Sequence, residues 1–219
     1  MSIDRLLLDA AMQAVAVAVG IYGYRFLNSF GKLLWWQVFI SLINYIIRTA
    51  ITPQEWIGAQ FNFYMILEPT LLLMAAHYYG LRWHKYLLYA LIVLSWGAVL
   101  LQVGVIGVQK FANYASAFQC VIFVCVYVTL MYQSIINIKS QKDALLTLLI
   151  SLGITLFFAC YIPYVTMIHY LQDSNPLLNT RLFEILVINI FSNLRYLLLA
   201  IGLLMMIGIN RKEKQLHFA

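Results

Sequence analysis

Long apolar runs separated by short polar connections dominate the pattern of this chain. A helix needs about 20 predominantly apolar residues to cross the hydrocarbon core of a bilayer. Seven such runs fit into the 219 residues, with little chain left between them. The pattern therefore predicts one all-α domain, a polytopic membrane protein with seven transmembrane helices. We place these helices at about residues 6–24, 33–51, 57–79, 86–105, 111–132, 144–170 and 182–209.

The second predicted helix carries the clearest polar stripe in the chain. Four of its polar residues stand at i, i+4, i+7 and i+11, namely Gln37, Ser41, Asn44 and Arg48. This spacing places all four on one face of a helix. Because lipid disfavours polar side chains, we expect this face to point into the bundle.

Two charged residues lie deep inside apolar runs. Glu68 interrupts the run at 63–73, and Arg195 interrupts the run at 190–199. An ionised side chain at the centre of a bilayer costs about 3 kcal/mol on insertion scales, so such residues face the protein interior and need partners. The simplest hypothesis is that Glu68 and Arg195 pair with each other.

A second pair is predicted near the outer ends of the second and seventh helices, between Arg48 and Glu184. Buried charges also require hydrogen bonds. We expect these bonds from the neighbouring polar side chains of Asn44, Asn62, Asn189, Ser192 and Asn193. Pro69 has no N–H to bond the carbonyl of Met65, and this carbonyl should therefore be free beside Glu68.

Two interpretations of these polar residues stay open. They can join the helices without any ligand, since interhelical hydrogen bonds in membranes contribute on average about 0.6 kcal/mol each. Alternatively, they can enclose a polar cavity for a small molecule, a lipid headgroup or an ion. Polar residues on several different helices favour the cavity, because a single buried pair needs fewer of them.

Composition and charge support the membrane class and indicate an orientation. The chain is 63% hydrophobic and only 10% charged, against about 25% charged residues in soluble proteins. In the seven-helix topology nine Lys and Arg residues fall on the C-terminal side and four on the other. The positive-inside rule then predicts N-out and C-in, in a bacterial inner membrane. The net charge of +6 is an orientation signal, and we do not expect nucleic-acid binding.

Residues with metal, redox or catalytic chemistry do not cluster. The cysteines fall in apolar runs without a C-x-x-C motif, at Cys120, Cys125 and Cys160. The histidines lie at different depths or in polar segments, at His77, His84, His169 and His217. The last helix has no lysine for a retinal Schiff base, and the chain has no G-x-S-x-G motif. We therefore expect no metal, no cofactor and no enzymatic activity.

The segment Asn62-x-Tyr64-x-x-x-Glu68, preceded by aromatic residues around Trp56, resembles a family of uncharacterised bacterial seven-helix membrane proteins. The layout is also similar to heptahelical sensor modules, in which a kinase or DNA-binding output domain follows the bundle. This chain ends shortly after its seventh helix, so the resemblance implies that a separate effector protein on the cytoplasmic side carries the output.

The predicted function is a non-enzymatic, receptor-like or regulatory membrane subunit with a polar intramembrane cavity. One alternative is a small proton- or ion-coupled transporter or channel, in which Glu68 binds and releases the proton or cation. Another is a membrane scaffold or assembly factor without a ligand.

Overall fold

The computed structural model describes residues 3–79, 85–136, 141–174 and 189–216, with side chains from 10 to 166 and from 189 to 212 inside these ranges. The described residues contain α-helices and short connections and no β-strand, so the predicted all-α class is confirmed for them. Two 3₁₀ turns, Tyr24–Phe26 and Gln54–Trp56, lie between helices. Within the described ranges the α-helices are α1 Ile3–Gly23, α2 Ser29–Ala50, α3 Ile57–Tyr79, α4 Lys85–Ile106, α5 Asn113–Ile136, α6 Gln141–Ser174 and α7 Ser192–Leu216.

Several helices have the dimensions of membrane spans. Five described stretches are long and apolar enough to cross a bilayer, namely Ser29–Ala50, Lys85–Ile106, Asn113–Ile136, Gln141–Thr166 and Asn189–Lys212. The surface agrees with this composition, because α4 exposes Val93, Leu101 and Val105 at 64, 75 and 85%. Contiguous apolar surface of this kind is unusual on soluble monomers and is compatible with a membrane protein.

The helices form a closed ring. Each helix packs against the next one along the chain, and α1 packs against α7 to complete the circle. Two contacts cross the ring, between α3 and α5 and between α2 and α7. Polar side chains on the inner faces of α2, α3 and α7 are thereby brought to one interior.

Some helix ends differ from the predicted ones. Helix α2 begins at Ser29 instead of about 33, because the side chain of Asn28 accepts a hydrogen bond from the backbone N–H of Gly31 at 2.9 Å and caps the helix. Helix α6 continues to Ser174, through residues predicted to connect helices. Polar residues mark where a helix leaves an apolar environment, but polarity alone does not end a helix.

The predicted seventh helix, 182–209, is described only in part. Residues 175–188 lie outside the described residues, and the described part opens with a π-helical turn at 189–191. Helix α7 follows and extends beyond the predicted end, to Leu216.

The largest fully buried side chains pack one half of the bundle. Most of them belong to five helices: Phe30 and Leu34 of α2, Leu72 and Leu73 of α3, Tyr127 and Leu130 of α5, Ile150 and Ile154 of α6, and Leu199 and Leu203 of α7. Successive helices joined by short connections run in opposite directions. All of these residues therefore lie on the same side of a layer through Glu68 and Arg195, the side predicted to face the cytoplasm.

Candidate ligand cavity

Glu68 of α3 and Arg195 of α7 are in contact in the interior of the ring. The Nη2 group of Arg195 donates to Oε1 of Glu68 at 3.0 Å, and their side chains are 2% and 13% exposed. Their side chains form an ion pair across the interior of the ring. The structure thus places together the two charges that the apolar runs predicted to be partners.

Gln37 of α2 is a third member of this contact. Its Nε2 group donates to the same Oε1 atom of Glu68 at 3.0 Å and to the hydroxyl of Tyr64 at 3.1 Å. The side chain is fully buried, and its Oε1 atom has no hydrogen-bond partner. The sequence put Gln37 on the inward stripe, but it gave no signal that Gln37 bonds Glu68.

Aromatic rings hold the guanidinium of Arg195 in place. Its Cζ atom lies 4.9 Å from the ring centroid of Phe157, 4.8 Å from that of Phe158 and 5.5 Å from that of Tyr196. Cation–π contacts strengthen when the cation is removed from water. The Nε group of Arg195 is also buried and has no hydrogen-bond partner, so one donor of this cation is unused.

A cavity of about 160 Å³ adjoins the ion pair. It is lined by residues of α1, α2, α3, α5, α6 and α7 and by Phe111, just before α5. The charged side chains in the lining are Glu68, Arg195 and Arg48, and aromatic side chains come from five of these helices. The cavity is therefore both cationic and aromatic.

The cavity and the packed half of the bundle lie on opposite sides of the ion pair. Lining residues of α2 and α3 run from Ser41 to Arg48 and from Phe61 to Glu68, toward the ends of the helices predicted to face outward. Arg48 and Phe61 are partly exposed, whereas Arg195 is buried. The Glu68–Arg195 pair is therefore the floor of a cavity, and Arg48 lies nearer its mouth.

Arg48 is held at this mouth by two rings. Its Cζ atom lies 4.9 Å from the ring centroid of Phe61 and 5.3 Å from that of Tyr45. Glu184, its predicted partner, lies outside the described residues, and so does the proposed Arg48–Glu184 pair.

Asn44 and Asn193 make hydrogen bonds to groups other than the two buried charges. Asn44 lines the cavity, and its side-chain and backbone oxygens accept from Nε2 of Gln60 at 3.0 and 2.8 Å. In α7 the side chain of Asn193 donates to the backbone oxygen of Asn189 at 2.6 Å.

Asn62 joins α3 to the connection between α4 and α5. Its Nδ2 group donates to the backbone oxygens of Val108 and Lys110 at 3.2 and 2.8 Å, and its Oδ1 atom accepts from the N–H of Ala112 at 3.0 Å. All three bonds reach the backbone of another segment. Asn62 fixes this connection, and it is not among the residues that line the cavity.

The carbonyl of Met65 is not free, contrary to the expectation from Pro69. The Nε2 group of Gln119 in α5 donates to it at 3.0 Å and also reaches the carbonyl of Ser95 at 3.2 Å. Gln119 thus replaces the helical bond that Pro69 cannot make. The only sign of this role in the sequence is a Gln inside an apolar helix.

Two further polar groups meet the cavity. The hydroxyls of Ser41 and Tyr196 hydrogen-bond each other at 2.8 Å. Gln13 of α1 is buried, and its Oε1 atom has no hydrogen-bond partner. A group of three or more His, Cys, Asp or Glu side chains suited to a metal ion does not occur within the described ranges. Among the side chains that line the cavity, the buried polar atoms without a partner are thus Nε of Arg195 and Oε1 of Gln13.

No family model matches the chain, and neither a curated protein nor a solved structure matches it.

Proposed function

We propose that this protein is a non-enzymatic, receptor-like or regulatory subunit of the bacterial inner membrane, with seven transmembrane helices, its N-terminus outside and its C-terminus in the cytoplasm. In this proposal the cavity binds a small molecule or a lipid headgroup, and a separate effector protein on the cytoplasmic side responds. The observation that carries the proposal is the aromatic and polar cavity above the Glu68–Arg195 pair.

The cavity supports ligand binding over a purely structural role. Protein interiors are close-packed, with few voids larger than one water molecule, whereas this cavity measures about 160 Å³. An engineered apolar cavity of about 150 Å³ accommodates benzene. Ligand sites typically combine aromatic walls with a few placed polar groups, and this lining has both.

The packed half of the bundle favours binding over an open channel. Fully buried Leu72, Leu73, Leu199 and Leu203 fill the space on the far side of the ion pair. An open channel needs a continuous polar or hydrated path through the bundle, and these apolar side chains interrupt such a path, whereas a carrier with alternating access opens to one face at a time. A substitution separates the two functions, because Glu68→Gln would abolish proton-coupled transport but would only weaken the affinity of a binding site.

A matched pair of substitutions tests whether the cavity is the ligand site. Ser116 and Ser134 both lie on α5 and are similarly buried, at 6% and 7%, but only Ser116 lines the cavity. Thermal unfolding of the purified protein should be measured with a panel of small aromatic and polar compounds. A ligand at about 100 times its Kd stabilises the folded state by about 2.7 kcal/mol.

We expect at least one compound to raise the Tm of the wild type and of Ser134→Leu but not that of Ser116→Leu. If no compound raises the Tm, and Ser116→Leu is more stable than the wild type, the cavity is a packing defect. The scaffold alternative would then replace this proposal. Equal ligand effects in both variants would place the binding elsewhere.

A further inference from the structure

We propose that the ligand of this cavity is a small carboxylate with an aromatic body. This inference rests on the proposed function and adds the chemical class of the ligand. Three properties of the site carry it: the balance of charge in the lining, the donors of the two arginines, and the size and aromatic character of the walls.

The charges in the lining do not balance. Arg48 and Arg195 contribute two positive charges, and Glu68 contributes one negative charge that already accepts bonds from Arg195 and Gln37. Arg195 is paired with Glu68, so the remaining positive charge is that of Arg48, which is partly exposed near the mouth, and Glu68 is the one acidic side chain among the described residues of the lining. A ligand with one negative charge would neutralise the site, whereas a cation would add to the imbalance.

Both guanidinium groups keep donors for a carboxylate. The side chain of Arg195 lines the cavity, and its Nε group is buried without a hydrogen-bond partner, so a carboxylate would bond this group after the guanidinium turns toward the cavity. Arg48 lies over the rings of Tyr45 and Phe61, and a cation–π contact leaves the N–H groups in the guanidinium plane able to bond. A planar guanidinium matches the two oxygens of a carboxylate.

The walls fit a flat, apolar body. Phe123 of α5, Phe157 and Tyr161 of α6 and Phe111 contribute rings to the lining, and aromatic pairs prefer offset or edge-to-face contacts. The volume is that of a single ring with a small substituent. The side chain of Gln13 is in the lining, and its buried Oε1 atom has no partner, so a rotation of this amide toward the cavity would let it accept a hydrogen bond from a hydroxyl on the ring.

Calorimetric titration of the full-length protein in detergent would test whether the cavity prefers a negatively charged ligand. The probes are benzoate, the neutral benzyl alcohol and the cationic benzylamine. We expect benzoate to bind at least about tenfold more tightly than either of the other two, which is the scale of one charge-assisted hydrogen bond. Benzyl alcohol or benzylamine binding as tightly as benzoate would overturn the inference.

The Arg48→Gln variant, with Lys110→Gln as its control, tests whether Arg48 binds the carboxylate group. Lys110 lies in the connection before α5, at the same end of the bundle, and does not line the cavity. We expect Arg48→Gln to weaken benzoate about tenfold, Arg48→Lys to weaken it less, and Lys110→Gln to leave it within about twofold. Equal losses in Arg48→Gln and Lys110→Gln would show a general charge effect and contradict the site.

Gln13→Leu gives a second test that does not depend on the folding of an arginine variant. In the wild type 4-hydroxybenzoate should bind several-fold more tightly than benzoate, and Gln13→Leu should remove this difference. The absence of any preference in the wild type would contradict the proposed contact between the ring hydroxyl and Gln13.

The failure of this inference can be told from the failure of the proposed function. If a neutral or cationic compound binds more tightly than benzoate and Ser116→Leu abolishes its binding, the proposed function stands and the carboxylate inference fails. If no probe binds and none of the wider compound panel raises the Tm, both fail.

Discussion

At the scale of single residues, the Glu68–Arg195 pair is the feature that the sequence predicted best. Two charges in apolar runs had to be partners, because an unpaired charge in that environment costs several kcal/mol. The sequence did not predict that Gln37 shares Oε1 of Glu68, or that Phe157 and Phe158 cover Arg195. Helical periodicity shows which face a residue occupies, but not which side chain on another helix meets it.

The ion pair makes a prediction about stability. Arg195→Leu leaves Glu68 as an uncompensated buried carboxylate, and breaking a buried pair in this way costs about 3–5 kcal/mol. Glu68→Leu combined with Arg195→Leu removes both charges and should recover part of this loss. The free energy of unfolding in detergent measures both effects. Losses that simply add in the double-mutant cycle would mean that the two side chains do not interact.

Gln119 and Pro69 should be coupled in the same kind of cycle. Gln119→Leu leaves the Met65 carbonyl without a donor, which costs about 1–3 kcal/mol for a buried polar group. Pro69→Ala restores an N–H that can bond this carbonyl within α3, and the cost of Gln119→Leu should then fall by about 1 kcal/mol. Gln102→Leu is the control, since Gln102 bonds Asn113 and Ala115 and should be additive with Pro69→Ala. If Gln119→Leu costs as much in the Pro69→Ala background as in the wild type, Gln119 does not replace the missing N–H of Pro69.

At the scale of elements, the start of α3 is fixed against the connection between α4 and α5. Asn62 makes three hydrogen bonds to the backbone of residues 108–112, and Gly58 lies against the carbonyl of Gln109. Sequence patterns predicted the existence and order of the helices, because apolar length alone defines them. They misassigned Asn62 to the buried charges, since an Asn beside an apolar run has the same pattern whether it bonds a charge or a loop backbone.

Gly58→Ala tests this contact. A Cβ atom at Gly58 would collide with the backbone oxygen of Gln109, which cannot move aside as a flexible side chain can. We expect a loss of at least about 2 kcal/mol, as for other overpacked sites. Gly97→Ala in α4 is the matched control, because nothing lies within 4 Å of its added Cβ, and it should be neutral or stabilising by up to about 1 kcal/mol. Chemical or thermal unfolding measures both variants, and equal effects would contradict close packing at Gly58.

At the scale of the whole molecule, the ring divides into an apolar packed half and a half that holds the cavity. The sequence predicted the helical class and a polar interior, because both follow from composition and periodicity. It left open whether the polar residues surround space or only join helices, since a cavity depends on how side chains from six helices fit together. The aromatic rings of Phe123, Phe157 and Tyr161 line this cavity, and no sequence pattern separates them from the other aromatic residues of the apolar runs.

The orientation of the bundle decides from which side a ligand reaches the cavity. Nine Lys and Arg residues against four predict a cytoplasmic C-terminus, and the cavity mouth near Arg48 would then face the periplasm. A fluorescent protein fused after Ala219 should fluoresce, and alkaline phosphatase fused there should be inactive. Alkaline phosphatase fused after Gln54, in the predicted outer connection beyond α2, should be active. The reverse pattern would turn the cavity toward the cytoplasm, and the ligand would have to be sought among intracellular carboxylates.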